Sequence, residues 1–329
     1  MPKISVVIPA YNAELYIEET IKSILCQTFN DLEIIIIDHA STDRTRDIIN
    51  KFAEKDNRIV FKSLTVNMGG GKHAADIAYS IARGEWVIRV DSDDYLVENS
   101  LETLYKRAIE TQTDIVLQKM FCFKDGSNDV LKIYSAPDSN VGQILEGREA
   151  VRLTVGRWEI GCNGMLIKKT LIPEYNESKT PTYINSDEID SRIFLLNAKY
   201  ISFCQSSYMY RVHKENTGKK PSIRRVEILL VDELLESFLR ENYDSTDIIF
   251  EDLTSQKCRH LLGFYLFYFK NLKLFKLEDN KRTLEIMHKF YKGINFKLLK
   301  GKYSILMRLS LMSGHFLFNI STNLYSRIR

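Results

Sequence analysis

Over its first 120 residues the chain alternates two kinds of apolar pattern. Unbroken runs, ISVVIP (4–9) and LEIIIID (32–38), are too apolar for half-exposed strands and read as strands buried on both faces. Between them Ile17, Ile21, Ile24 and Leu25 recur at helical spacing, and TRDIINKFA (45–53) repeats that period. RIVFKSL (58–64), a helical stretch over 72–83, EWVIRVD (85–91) and DIVLQKM (114–120) continue the series. Asn99, with Glu102 three residues on, predicts a capped helix whose inner face carries Leu101, Leu104, Tyr105, Ala108 and Ile109. Such alternation predicts an α/β fold, a Rossmann-like, mainly parallel sheet with helices on both faces.

The pattern loosens over 121–160, where KDGSND and SAPDSN mark loops, and returns to mixed α/β character over 161–212. HKENTGKKPS (213–222) is polar and marks a domain boundary. Beyond it the chain is helical and basic, with Phe, Tyr and Leu among the lysines. No internal repeat is visible.

Open parallel sheets bind ligands beyond the carboxyl ends of their strands. Three features fall there: PAYN after the first strand, Asp38 at the end of the second, and DSDD (91–94) after WVIRV. Three carboxylates within four residues stay ionised together only in water or around a cation. They read either as a solvated turn built on Ser92 and Asp94 or as a divalent-metal site holding a phosphate. Their placement at a strand end favours the second. Lys72, in a glycine-rich turn opening a helix, is placed to meet phosphate.

Charge changes the picture of the tail. The net charge is +3, yet residues 255–329 hold 15 Lys/Arg against 3 Asp/Glu. Such a segment suits an acidic partner, either nucleic acid or anionic lipid headgroups, unless its apolar residues are mainly core. Five widely spaced cysteines without a C-x-x-C pair argue against a disulfide framework or zinc ribbon. With no signal-peptide layout and no apolar run of roughly eighteen residues, a cytoplasmic protein is expected.

SVVIPAYNAELYIEETIKSILCQT followed by EIIIIDHASTDRT resembles the N-terminal signature of the family-2 glycosyltransferases. NMGGGKHAADIAYSIARGEWVIRVDSDDYL resembles the block that ends in their D-x-D motif, and NSDEIDSRIFLLNAK and YMYRVH resemble later segments. The match covers roughly residues 3–217. It implies the GT-A nucleotide-sugar fold and transfer of a sugar from a nucleotide donor, a UDP-sugar first among them, with inversion. By that resemblance Asp93, Asp91 and His213 bind Mn2+ or Mg2+, and Asp91 or Ser92 meets the donor. Pro9, Ala10, Tyr11, Asn12 and Glu14 shape the nucleotide pocket, Asp38 accepts a hydrogen bond from the base, and Lys72 meets the diphosphate. Asp187, with Glu188 beside it, stands at the position of the catalytic base. Trp158 and Glu159 read as an acceptor platform or as core.

The chain departs from the family where Asp38-His39-Ala40 replaces a common Asp-Asp pair, and where Ala75-Asp76 replaces Arg-Asn. Asp187, Glu188 and Asp190 also suit the solvated first turn of a helix, and His213 also reads as a loop bystander. The resulting expectation is a glycosyltransferase domain over 1–217, with a nucleotide half (1–120) and an acceptor half (121–217), then a helical domain over 218–329. Its acceptor would be a saccharide or lipid-linked saccharide for a surface glycan, met at the inner face of the membrane through residues 255–329; no nucleic acid is expected. A sugar nucleotidyltransferase and a non-catalytic assembly subunit are the alternatives, and the first lacks its early Gly-rich, basic loop here.

Overall fold

A computed structural model describes all residues except 68, 70, 128, 136–141, 157–161, 175–182, 184, 215, 217–220, 276, 300–307 and 316–329, and except the side chains of 277–279. The chain forms two compact units. The first runs to Asn216; the second holds the rest, together with Val155, Gly156, Tyr183 and Asn185.

The first unit is built from β1 (Ile4–Ala10), α1 (Ile17–Leu25), β2 (Leu32–Asp38), α2 (Thr45–Ala53), β3 (Ile59–Ser63), α3 (Lys72–Ile81), β4 (Trp86–Arg89) and β5 (Tyr95–Leu96). It continues with α4 (Ser100–Thr111), β6 (Ile115–Lys124), β7 (Val130–Tyr134), β8 (Ile144–Glu146), α5 (Gly147–Thr154), β9 (Met165–Lys168), α6 (Asp187–Asn197) and β10 (Tyr200–Val212). Every residue of β1 and β2 is buried, as runs without polar alternation require. α1 buries Ile17, Thr20, Ile21 and Ile24, one helical stripe.

The sheet order is β3-β2-β1-β4-β9-β6-β10-β5, with β7 beside β6 and β8 beside β10. β1 to β4 are parallel. β9 lies antiparallel to both β4 and β6, so two reversals return β6 to the direction of β1, and β10 runs parallel to β6. Ala10, Asp38, Ser63, Arg89, Lys124 and Val212 therefore end their strands at one rim.

One local expectation fails. Asn99 makes no side-chain cap bond. Glu102 instead accepts from Thr28 at 2.8 Å and pairs with Lys106 one turn on at 2.7 Å, so it does not reach back to close a capping box. Ile109 faces solvent, because Leu101, Leu104 and Ala108 fill the buried stripe of α4.

Inside the sheet, Ser5 and Glu33 stand opposite each other in the β1–β2 register. Ser5 donates to Glu33 at 2.7 Å, and Arg83 adds its backbone N–H at 2.7 Å and its guanidinium at 2.7 and 2.9 Å. Burial alone would push the Glu33 carboxyl up, but the hydrogen bonds from Ser5 and Arg83 and the Arg83 charge hold it below the usual carboxylate range. A depressed folded-state pKa stabilises above the unfolded value, and that stability is lost as pH falls through the folded value. Glu33→Gln should therefore cost about 1–3 kcal/mol near neutrality and flatten the acid limb of stability. Denaturant unfolding from about pH 6 down to about pH 3 checks this; an acid limb identical to wild type would refute it.

The second unit packs α7 (Glu227–Asn242), α8 (Ile249–Lys270), α9 (Leu277–Gly293) and helical residues 308–315. Its core holds Leu229, Leu261, Tyr265, Tyr268, Met287, Phe290 and Leu311. These aromatics of the basic segment are committed to packing rather than presented as stacking faces. Among the described residues no helix is long and apolar enough to cross a membrane. All five cysteines are free.

Candidate active site

The rim is assembled from loops that follow parallel strands. Residues 11–14 and 38–45 are stitched together: Asn12 N–H donates to Ser41 Oγ at 3.0 Å and Asn12 Oδ1 accepts from Thr42 N–H at 2.8 Å. Ala13 N–H donates to Thr45 Oγ1 at 2.7 Å, and Glu14 accepts from the Arg44 backbone and guanidinium at 3.1 and 3.0 Å. Pro9 and Ala10 are buried in β1, while Tyr11 is half exposed. Asp38, expected to bond the base, is fully buried. Its carboxylate accepts from Ser41 N–H, Arg46 and Ser63 Oγ at 3.1, 3.2 and 2.8 Å, so it pins the 39–46 turn.

The acidic triplet divides into three roles. Asp94 is wholly buried, accepting from Arg211 N–H at 2.8 Å and from the Tyr208 hydroxyl at 2.7 Å. Burial first, then the charges of Asp93 and Asp91, push its carboxyl well above the usual range. Asp91 faces the rim, held by Arg89 at 2.8 Å and Asn163 at 3.0 Å, while its backbone N–H donates to Tyr208. Burial raises its carboxyl and Arg89 opposes the rise. The Asp93 carboxylate lies 2.9 Å from His213 Nε2 and 3.3 Å from Asn216 Nδ2. The Ser92 carbonyl accepts from Thr20 at 3.0 Å.

β10 supplies most of this order. Tyr208 is fully buried, its ring packed against Gly164, whose φ of +75° and missing Cβ admit it. Arg211 donates to the Asp93 carbonyl at 2.9 Å, to Asp125 at 3.0 Å and to Glu19 at 2.6 Å. Sequence reasoning missed Tyr208, Arg211, Asn163 and Asn216. The signal was an arginine set among strand aromatics in YMYRVH.

α6 gives each of its three first-turn acids a different surrounding. Glu188 lies 3.6 Å from Arg192 on its own helix, and Asp190 pairs with Lys72 at 2.6 Å. Asp187 acts electrostatically on Asp91 and on Arg89. Burial works against the Arg89 charge, and Asp91 and Asp187 more than offset it. Asp190 is mostly shielded from water, so the first turn is not simply solvated. Trp158 and Glu159 lie outside the described residues.

Asp93 and His213 are side chains of the types that divalent cations take as ligands. Asp93 offers hard oxygen and His213 imidazole within 2.9 Å of each other. Among the described residues no three His, Cys, Asp or Glu side chains form a group that could hold a metal ion by themselves.

The profile described as glycosyl transferase family 2 matches residues 5–168. Glycosyltransferase GlyG of Streptococcus pneumoniae is 30% identical over 308 residues, 90% of this chain and 94% of GlyG. The chain belongs to glycosyl transferase family 2 and is a glycosyltransferase. Poly(ribitol-phosphate) beta-N-acetylglucosaminyltransferase TarS of Staphylococcus aureus is 38% identical over 122 residues, 36% of this chain but 21% of TarS. The crystal structure of TarS residues 1–349 with UDP-GlcNAc matches with a TM-score of 0.69 at 21% identity, covering 98% of this chain and 92% of that one. That likeness shows the GT-A fold. A mannosyltransferase of Pyrobaculum calidifontis in complex with GDP-Man and Mn2+ matches with a TM-score of 0.52 at 18% identity, over 99% of this chain and 88% of that one.

Proposed function

We propose that this chain is an inverting, metal-assisted glycosyltransferase that moves a sugar from a nucleotide diphosphate, uridine diphosphate first among them, to a saccharide. The acceptor is free or lipid-linked and belongs to surface-glycan synthesis. One observation carries the reading: Asp91, Asp93 and His213 meet at a single strand-end rim where Asp187 acts on Asp91 and Arg89. TarS, whose structure holds UDP-GlcNAc, supports the choice of donor.

In this mechanism Asp187 accepts the proton of the acceptor hydroxyl. The acceptor oxygen forms its bond to the anomeric carbon from the face opposite the diphosphate. The carbon–oxygen bond to the diphosphate breaks, the electron pair leaves with it, and the configuration inverts. Asp93 and His213 would hold a divalent cation, which when bound supplies positive charge against the leaving diphosphate. Tyr11 and the stitched 11–14 and 38–45 loops would shape the nucleotide pocket, with Asp38 as their anchor.

The same reading places the enzyme on the cytoplasmic side, meeting lipid-linked acceptors at an anionic membrane surface. The basic surplus of residues 255–329 and the exposed Leu266, Leu309 and Met312 support that contact. Thermal unfolding with UDP- and GDP-sugars, each with and without Mn2+, tests the whole reading. A donor at about a hundredfold its Kd should add about 2.7 kcal/mol and release nucleoside diphosphate. Neither effect with any donor would overturn it.

A further inference from the structure

Lys72 opens α3, and its ammonium lies 2.6 Å from Asp190 on α6 and 3.2 Å from Asp76, one turn along its own helix. All three side chains are mostly shielded from water. One ammonium is therefore shared by two carboxylates, so its charge is already met inside the protein. A phosphate approaching Lys72 would have to displace Asp190 and stand beside two acids. Burial pushes the Asp190 carboxyl up to about 6, with Lys72 acting against that rise. Asp190 is three residues after Asp187, on the same face of α6. The two helices also meet where the Tyr79 ring stands edge-on to Phe194, centroids 6.1 Å apart.

We propose that Lys72 is a positioning residue: through Asp190 it ties the first turn of α6 to the start of α3 and so sets where Asp187 meets the acceptor, rather than binding the donor diphosphate. This rests on the reading of Asp187 as base. A base carried on the first turn of a helix moves with that turn, and a misplacement of about 1 Å costs roughly a hundredfold in rate.

The test compares Lys72→Met with the triple variant Lys72→Met, Asp76→Leu, Asp190→Leu. The triple replaces a buried ionic trio by apolar packing, a change often neutral for stability. Lys72→Met should lower kcat about tenfold to a hundredfold with donor KM within about twofold of wild type. The triple should recover most of the lost kcat. Calorimetry with UDP and Mn2+ supplies a readout that needs no turnover, and Lys72→Met should bind UDP as wild type does. A tenfold or greater loss of UDP affinity, or of donor KM, in Lys72→Met would overturn the proposal. So would a folded triple variant that stays as slow as Lys72→Met. Asp187→Asn is assayed alongside, and full activity there would remove the base assignment itself, a failure distinct from an altered donor KM.

Discussion

Asn in place of Asp187 is expected to lower sugar transfer by about 10²–10⁴-fold, the usual contribution of a positioned general base, while UDP affinity and the unfolding midpoint stay near wild type. The argument is one of location. Asp187 begins α6 and acts on Asp91 and Arg89 at the rim, whereas Glu188 lies beside Arg192 on its own helix. Glu188→Gln should thus keep activity within a few-fold. The amide that Asp187→Asn introduces could not take the acceptor proton, yet it matches the carboxylate in shape, so lost rate would not trace to lost packing. Steady-state transfer with the preferred donor, beside a nucleotide titration, separates these outcomes. Wild-type turnover by Asp187→Asn, or a loss shared equally by Glu188→Gln, would refute the assignment.

What could be foreseen followed from local physics. LEIIIID has one sensible fate, a strand covered on both faces, and β2 is buried throughout. Because β2 and β4 both flank β1, their ends had to lie near one another, and the strand-end acids share a rim. Pairings across long stretches of chain were not foreseeable. Asp190 meets Lys72 across a separation of 118 residues, and Arg211 reaches Glu19 across 192. A carboxylate in a sequence does not disclose which distant cation the fold will bring to it. Asp38 shows the same limit from the other side: its strand-end position was right, but Arg46 and Ser63 claim its oxygens. The reversal by β9 was hidden because a four-residue apolar strand carries no mark of its direction.

Asp93→Ala and Asp94→Ala should fail in opposite ways, although the residues are adjacent. Asp93 is partly exposed at the rim, where its carboxylate meets His213 and Asn216, so its loss should cost less stability than loss of Asp94, at most about 1–3 kcal/mol. It should cost transfer about 10²-fold or more, as loss of charge stabilisation at a leaving group does. It should also abolish the added thermal stability that Mn2+ gives in the presence of UDP. Asp94→Ala would strand the Arg211 N–H and the Tyr208 hydroxyl in a dry interior, and each stranded group costs about 1–3 kcal/mol. The unfolding midpoint should fall by several degrees, with activity lost chiefly through instability, because Tyr208 and Arg211 order the whole turn. Urea unfolding and a Mn2+ titration on both variants distinguish the two. A cation response in Asp93→Ala equal to wild type would show that the charge at the leaving diphosphate is met elsewhere, and the division of labour within DSDD would have to be redrawn.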